Sequence, residues 1–344
     1  MSDNLIPTIQ TQVSLQPYNT FGLAAQAERF VEVHTVAELQ ALLPRLQGQP
    51  KFLLGGGSNL LLGRDLTETV IYLNIKGLRV VSETDNQVVV EAMAGENWHQ
   101  FVLWTLEQGW GGIENLSLIP GHVGTTPVQN IGAYGVEIKD VMRQCTAVDI
   151  ESGEVRIFSL QDCQFGYRDS YFKREGKGQY AIVAVQFVLT KTQHQLRTAY
   201  GDIQKELEAQ GVSQPTPTDI SRAVIAIRSR KLPDPKVLGN SGSFFKNPVV
   251  PATVVQQLLH TYPDMPHYAA GPEHFKVPAG WLIEKAGLKG QRWGDAGIHA
   301  HQALVIVNYG GATGAELCAV AQRVQDTVYQ QFQIALEAEV NIIL

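Results

Sequence analysis

A short apolar strand, Lys51 to Leu54, runs directly into Gly55-Gly56-Gly57-Ser58-Asn59, and this junction constrains the fold more than any other feature of the chain. Consecutive glycines have nothing to pack, so their use is close approach of backbone. Their amide N–H groups can then donate to an anion such as a diphosphate. Taken alone, an ordinary tight turn is the commoner explanation of such a loop. The spacing does not match the G-x-G-x-x-G pattern, and no acidic residue stands at a strand end about 20 positions on. A nucleotide would therefore be held here in some other way than in a Rossmann fold.

Around that loop, hydrophobic spacing predicts a helix over Val36 to Leu46, with Val36, Leu39, Leu42, Leu43 and Leu46 on one side, and a strand at Val70 to Leu73. From Val80 the pattern becomes a strand at Gln87 to Ala92, a helix at Trp98 to Glu107, a hairpin of Cys145 to Ile150 and Val155 to Phe158 about Ser152-Gly153, and a strand at Ala181 to Leu189. Between helix and hairpin, Gly109 to Gly135 is long, glycine-rich and weakly periodic, and so long a loop usually has a function. A polar, proline-bearing stretch at Gly211 to Thr218 is the expected domain junction. Beyond it come helices at Ile220 to Arg230, Pro251 to His260 and Ala279 to Ala286, a strand at Ala303 to Asn308, and a helix carrying Leu317, Val320, Ala321, Val324 and Val328. Strand-like alternation over Ile334 to Ile343 closes the chain. An α+β protein of two or three domains is expected from 344 residues.

The balance of 44% hydrophobic and 17% charged residues is that of a globular enzyme, and a net charge of −6 without a basic run argues against nucleic acid as a partner. Cys145, Cys163 and Cys318 fit neither a disulfide framework nor a zinc knuckle, which suits a reducing cytoplasm. Met1 to Gln16 has no basic flank before an apolar core, and no apolar run approaches the roughly 20 residues of a membrane span. The nine histidines include no metal-binding spacing; His299 and His301 are read as surface or packing residues, and Trp98, Trp104 and Trp110 as core.

Four further segments carry chemistry. Ile119 to Gly135 is a second loop of small, hydroxyl and amide residues, and two such loops suit a dinucleotide. Phe165-Gly166-Tyr167-Arg168-Asp169-Ser170 sets a guanidinium, suited to a carboxylate, beside an acid; a surface Arg168–Asp169 pair is the more ordinary reading. Asn240-Ser241-Gly242-Ser243-Phe244-Phe245-Lys246-Asn247-Pro248 holds a serine that can donate a proton if polarised, although a serine capping a turn is commoner. Leu336-Glu337-Ala338-Glu339-Val340 places two glutamates on one face of an expected strand, where one can point into a site.

Together with Pro17-Tyr18-Asn19-Thr20-Phe21-Gly22 and Lys231-Leu232-Pro233-Asp234-Pro235-Lys236, these segments run in order along nearly the whole chain. In that order the chain resembles the UDP-N-acetylenolpyruvoylglucosamine reductases of the first type, and more distantly the FAD enzymes of the vanillyl-alcohol oxidase superfamily. The resemblance implies a two-part FAD-binding domain, residues 1–78 and 79–215, and a substrate-binding domain, 216–344, whose last strand returns Glu339 to the flavin site. It implies noncovalent FAD, and His122 is no sign of a covalent link. Cofactor contacts are implied at Asn19, Thr20, Gly55, Gly56, Gly57, Ser58, Asn59, Leu60, Pro120, Gly121, Gly124, Thr125, Thr126, Gln129, Asn130, Gly132, Ala133, Tyr134, Gly135 and Ile182. Substrate contacts are implied at Tyr167, Tyr200, Lys231, Asn247 and Gln302, with Tyr200 on a mobile lid. The family's catalytic positions match Arg168, Ser243 as proton donor, and Glu339. Ala338 stands where the family has proline.

The activity so implied is reduction by NADPH, through FAD, of the enolpyruvyl group of a UDP-sugar to UDP-N-acetylmuramate for the bacterial cell wall. A cytoplasmic monomer or weak dimer is expected. An FAD-dependent oxidase of an alcohol or sugar lactone is the alternative; it gives Ser243 and Glu339 no purpose. A non-catalytic nucleotide-binding protein would have lost Arg168, Ser243 or Glu339.

Overall fold

The structure is a computed structural model and describes residues 6–344; the start of the Met1 to Gln16 segment lies outside the described residues. The chain divides into two compact units.

The first unit takes the chain up to Val13, then Ala27–Gly57 and Leu66–Ser229. Its first sheet has the order Gln10–Ser14, Gln26–Val33, Leu66–Leu73, Lys51–Leu54. The strands at Gln26–Val33 and Lys51–Leu54 both run parallel to the one at Leu66–Leu73. Such parallel pairing needs a crossover, supplied by helix α1 (Val36–Leu42), whose N-cap Thr35 accepts from the Glu38 amide. The expected helix to Leu46 turns 3₁₀ over Leu43–Leu46, where Pro44 removes an N–H. Leu39, Leu42, Leu43 and Leu46 nevertheless all bury against Val31, Val33, Ile71 and Leu73.

The second sheet is antiparallel throughout, in the order Val155–Ser159, Met142–Asp149, Tyr180–Thr190, Gln87–Met93, Leu78–Glu83. Helix α2 (Trp98–Glu107) covers one face, with the Trp98 and Phe101 rings tilted against Phe187 at 5.7 and 5.1 Å between ring centroids. Trp104 and Trp110 meet edge to face at 5.4 Å beside the same core, which also takes the free, buried Cys145 and Cys163. Helix α3 (Ile203–Ala209) packs Ile203 and Leu207 on Ile220, Val224 and Ile227 of helix α4 (Pro217–Lys231). The Gly211 to Thr218 stretch leads into α4, with Thr216 and Asp219 bonded to each other at its start.

The second unit comprises Ser14–Gln26, Ser58–Asp65 and Arg230–Leu344. A four-stranded antiparallel sheet, in the order Gly239–Asn240, Ile306–Asn308, Ala296–Ile298, Arg292–Trp293, is joined by a three-stranded one and by helices α5 (Ala252–Thr261), α6 (Ala279–Lys285) and α7 (Gly314–Phe332). Thr313 and Glu316 form a capping box that starts α7, and Gln333, at φ 55°, ends it. The strand expected from Ala303 begins only at Ile306.

The alternation over Ile334 to Ile343 is borne out in burial, with Ile334, Leu336 and Val340 inside, but not as one strand. The segment crosses several neighbours in turn. Leu336 O accepts from the Gln325 side chain, Ala338 bridges to Phe245, and only Asn341–Ile343 forms a strand, parallel to Leu60–Leu62. Among the described residues no helix is long and apolar enough to cross a membrane.

Candidate active site

Within the first unit the two small-residue loops touch. A Cβ on Gly56 would stand 2.8 Å from Gly121 Cα and 3.0 Å from the His122 nitrogen, and one on Gly55 would meet Thr125 Cγ2 at 2.5 Å. At Gly124 the same atom would lie 2.5 Å from Ala94 Cβ and 3.2 Å from the Ile182 carbonyl. Only glycine allows these approaches. The hydroxyls of Thr125 and Thr126 donate to His122 O and Val123 O, both at 2.8 Å, so they present lone pairs rather than protons. The N–H groups of Val123, Gly124, Thr125 and Thr126 are themselves taken by backbone carbonyls, so an anion would draw on the remaining loop amides. Neither Gly55-Gly56-Gly57 nor Ile119 to Gly135 holds a carboxylate, so a glycine-lined, acid-free cradle fits the diphosphate of FAD.

His122 sits at the junction of the loops, its ring 6.0 Å from Tyr72 and its Nδ1 buried without a hydrogen-bond partner. Burial, with help from the charge of Lys76, lowers its pKa to about 4. The imidazole is neutral at ordinary pH.

Arg168 and Asp169 do not form the pair that their adjacency suggests. The Asp169 carboxylate bonds Arg174 and its own neighbour's amide, Ser170 N. Arg168 instead turns its guanidinium to Gly132 O at 2.6 Å and lies over the Tyr167 ring, 5.4 Å from its centroid. A tight turn closed by Gly166 and Asp169 backbone bonds presents both side chains. Asn130, Tyr134 and Arg168 all have positive φ, at 46°, 50° and 54°. That costs of order 1 kcal/mol or more per non-glycine residue and gathers at functional sites. Tyr200, exposed, lies against Gly135, its Cβ 3.5 Å from where a Gly135 Cβ would be.

Two residues of this cluster escaped the motif-based reading. Arg228 of α4 has a buried Nε with no hydrogen-bond partner. Burial depresses its pKa, Tyr134 opposing and the like charge of Arg168 adding to the effect. Its signal was an arginine four residues after Val224, on the apolar stripe of the helix. Asn115 is 1% exposed and bonds Tyr134 O and Arg197 O.

Several implied cofactor positions have structural bonds as well. The Asn130 side chain donates to Gly166 O and Glu137 and accepts from Lys139 N. In the second unit, Asn19 donates to Leu15 O and Leu23 O and accepts from Leu23 N. By contrast, Thr20 Oγ1 is buried without a hydrogen-bond partner, and Thr20 O accepts from Asn240 N at 3.0 Å.

The second unit brings Ser243 and Glu339 together through their backbones. Asn240 Oδ1 accepts from Gly242 N, setting the turn that leaves Ser243 exposed, while Phe244 and Phe245 are buried on either side of the chain path. Glu339 N donates to Phe244 O at 2.8 Å, and Lys246 N to Glu337 O at 2.9 Å. Asn59, from the end of the first glycine loop, donates its side-chain amide to Glu339 O, and Ser241 Oγ reaches Leu60 O at 3.5 Å. Glu337 is outside, paired with Lys246; Glu339 is the half-buried glutamate. Asn247 Oδ1 accepts from Ala279 N at the start of α6, and Gln302 Oε1 from Leu304 N. Lys231 ends α4, exposed. The His299 and His301 rings pack together at 5.6 Å.

These features agree with comparison to known proteins. A family described as UDP-N-acetylenolpyruvoylglucosamine reductase, C-terminal domain, matches residues 234–343, and an FAD binding domain family matches 27–159. A protein of Flavobacterium johnsoniae named UDP-N-acetylenolpyruvoylglucosamine reductase is 54% identical over 335 residues, covering 97% of this chain and 99% of its own. The chain belongs to the UDP-N-acetylenolpyruvoylglucosamine reductase family. A member from Pseudomonas aeruginosa is 48% identical over 336 residues, covering 97% of this chain and 98% of its own. The crystal structure of the Thermus caldophilus reductase superposes with a TM-score of 0.67 at 24% identity, covering 98% of this chain and 100% of that one, and so shares the fold. Membership makes this an FAD-containing oxidoreductase.

Proposed function

We propose that this chain uses NADPH to reduce, through noncovalent FAD, the enolpyruvyl group of UDP-N-acetylglucosamine enolpyruvate, giving UDP-N-acetylmuramate for peptidoglycan. The observation that supports this assignment of roles is the ladder joining Phe244 to Glu339, which fixes the backbone register of the segments carrying Ser243 and Glu339.

FAD, when bound, would supply the redox chemistry, hydride transfer from NADPH to the enolpyruvyl double bond. In the first unit Gly55, Gly56, Gly57, Pro120, Gly121, Gly124, Thr125, Thr126, Gln129, Asn130, Gly132, Ala133, Tyr134, Gly135 and Ile182 would hold it, and in the second unit Asn19, Thr20, Ser58, Asn59 and Leu60 are its proposed contacts. Arg168 grips the enolpyruvyl carboxylate, where a planar fork matches two oxygens and stabilises the enolate charge as it develops. Ser243 protonates the adjacent carbon, and Glu339 stabilises or protonates the enol. Lys231 helps hold diphosphate or the nicotinamide cofactor, Asn247, Gln302 and Tyr167 orient the sugar nucleotide, and Tyr200 closes over it. Residues 1–78 and 79–215 make the FAD-binding domain in two parts, and 216–344 the substrate domain. The enzyme works in the cytoplasm as a monomer or weak dimer.

The test is the visible spectrum of the purified holoenzyme under anaerobic conditions. NADPH should bleach the flavin bands, and the enolpyruvyl UDP-sugar alone should restore them. Restoration by oxygen but not by that sugar would point to the oxidase instead.

A further inference from the structure

Asn115 has no part in the chemistry above, yet its buried side chain bonds two backbone carbonyls beside the Arg168 cluster. It lies in a 3₁₀ turn, Glu114–Leu116, wholly buried. The base of this turn is rigid. Leu116 O accepts from the Trp98 indole of α2 at 2.9 Å, Ser117 Oγ bonds Ser221 Oγ of α4 at 2.8 Å, and the Glu114 carboxylate takes Gly112 N. From that base the Asn115 amide nitrogen donates one hydrogen to Tyr134 O, at 3.0 Å, and the other to Arg197 O, at 2.8 Å. Its Oδ1 is buried with no hydrogen-bond partner. Every hydrogen bond of this buried side chain is thus a donated one, and both go to backbone carbonyls.

The two carbonyls belong to segments that interlock. Tyr134 precedes Gly135, where a Cβ would stand 3.5 Å from Tyr200 Cβ, and a Cβ on Gly201 would stand 3.6 Å from the Tyr134 ring. Arg197 is three residues before Tyr200. We propose that Asn115 is a positioning residue: its two donors register the Tyr200 segment against the Tyr134 backbone and so set the pose from which the lid closes on the UDP-sugar. The proposal rests on Tyr200 being a substrate lid.

Substituting Asn115→Asp keeps the shape but turns an acceptor to both carbonyls. The expected result is a rise in KM for the enolpyruvyl UDP-sugar of about tenfold, with kcat within about threefold and anaerobic flavin reduction by NADPH within about twofold of wild type. A double-mutant cycle with Tyr200→Ala decides the route of the effect. If Asn115 acts through the lid, Asn115→Asp adds nothing to KM once Tyr200 is gone. Full additivity, or a KM unchanged by Asn115→Asp in the wild-type background, overturns the positioning role while leaving the lid intact. A KM unmoved by Tyr200→Ala alone overturns the lid reading and the proposal together. Should Asn115→Asp not fold, Asn115→Thr, whose hydroxyl can serve only one carbonyl, goes through the same cycle with a smaller expected rise.

Discussion

The amide of Glu339 donates to the carbonyl of Phe244 at 2.8 Å, so the half-buried glutamate and the residue after Ser243 share one rung of a short antiparallel ladder. The next rung runs from Lys246 N to Glu337 O. Neither rung uses the Ala338 amide, although Ala338 is the residue bridged to Phe245. The position can therefore hold alanine, and it could also take the proline that the family resemblance implies. Proline in an extended, non-donating position loses no ladder bond, and it keeps Glu337 extended. Ala338→Pro should therefore leave the melting temperature and kcat near wild type, with a stability change within about 1 kcal/mol; thermal unfolding of the holoenzyme checks this.

Ser243→Ala and Glu339→Gln should separate the two half-reactions. On the proposed roles flavin reduction by NADPH should proceed as in wild type, whereas reoxidation by the enolpyruvyl UDP-sugar should slow by roughly 10² to 10⁴-fold, the usual yield of acid–base groups. Stopped-flow absorbance follows each step. Equal losses in both half-reactions would assign these residues to cofactor placement instead.

Arg168 and Asp169 should behave as strangers despite being neighbours. Arg168→Lys removes the planar fork and its bond to Gly132 O. A fall in kcat/KM of about 10²-fold is expected in steady-state assays. Asp169→Asn only weakens a partly exposed pair with Arg174, so it should cost under about 1 kcal/mol in chemical denaturation, with kcat unchanged.

His122 gives a pH dependence with a definite sign. Its folded-state pKa, about 4, lies below the ordinary 6.5, so below pH 6.5 the unfolded chain binds a proton that the folded one refuses. The stabilising contribution is complete above 6.5 and is lost as pH falls towards 4, by about 2 kcal/mol at pH 5. Urea unfolding at pH 7 and pH 5 should show that this part of the slope disappears in His122→Thr. An identical slope in the variant would mean that the ring is protonated when folded.

Much of the site was legible because its signals are local. Three successive glycines declare a close backbone approach whatever they approach, and Gly55 and Gly56 indeed admit Thr125 and Gly121. The Gly242-Ser243 turn is prepared by Asn240 two residues away. Helices α2 and α7 begin where Asn97 and Thr313 supply cap oxygens. What escaped was partner choice. Arg168 beside Asp169 looks like a pair until Arg174 takes the acid, and Glu337 and Glu339 are equivalent by alternation until Lys246, 91 residues away, takes one of them.

The amino-acid order thus determined which segments could hold a dinucleotide, where helices start and stop, and which residue types stand ready for acid–base work, since each depends on neighbours a few positions apart. Only the tertiary structure decided which groups those side chains meet. The Asn115 amide joins carbonyls 19 and 82 residues away, and Asn59 reaches Glu339 across 280. Hydrogen-bond groups pair with whatever burial leaves beside them, and burial is a property of the packed chain, in which sequence distance no longer measures separation.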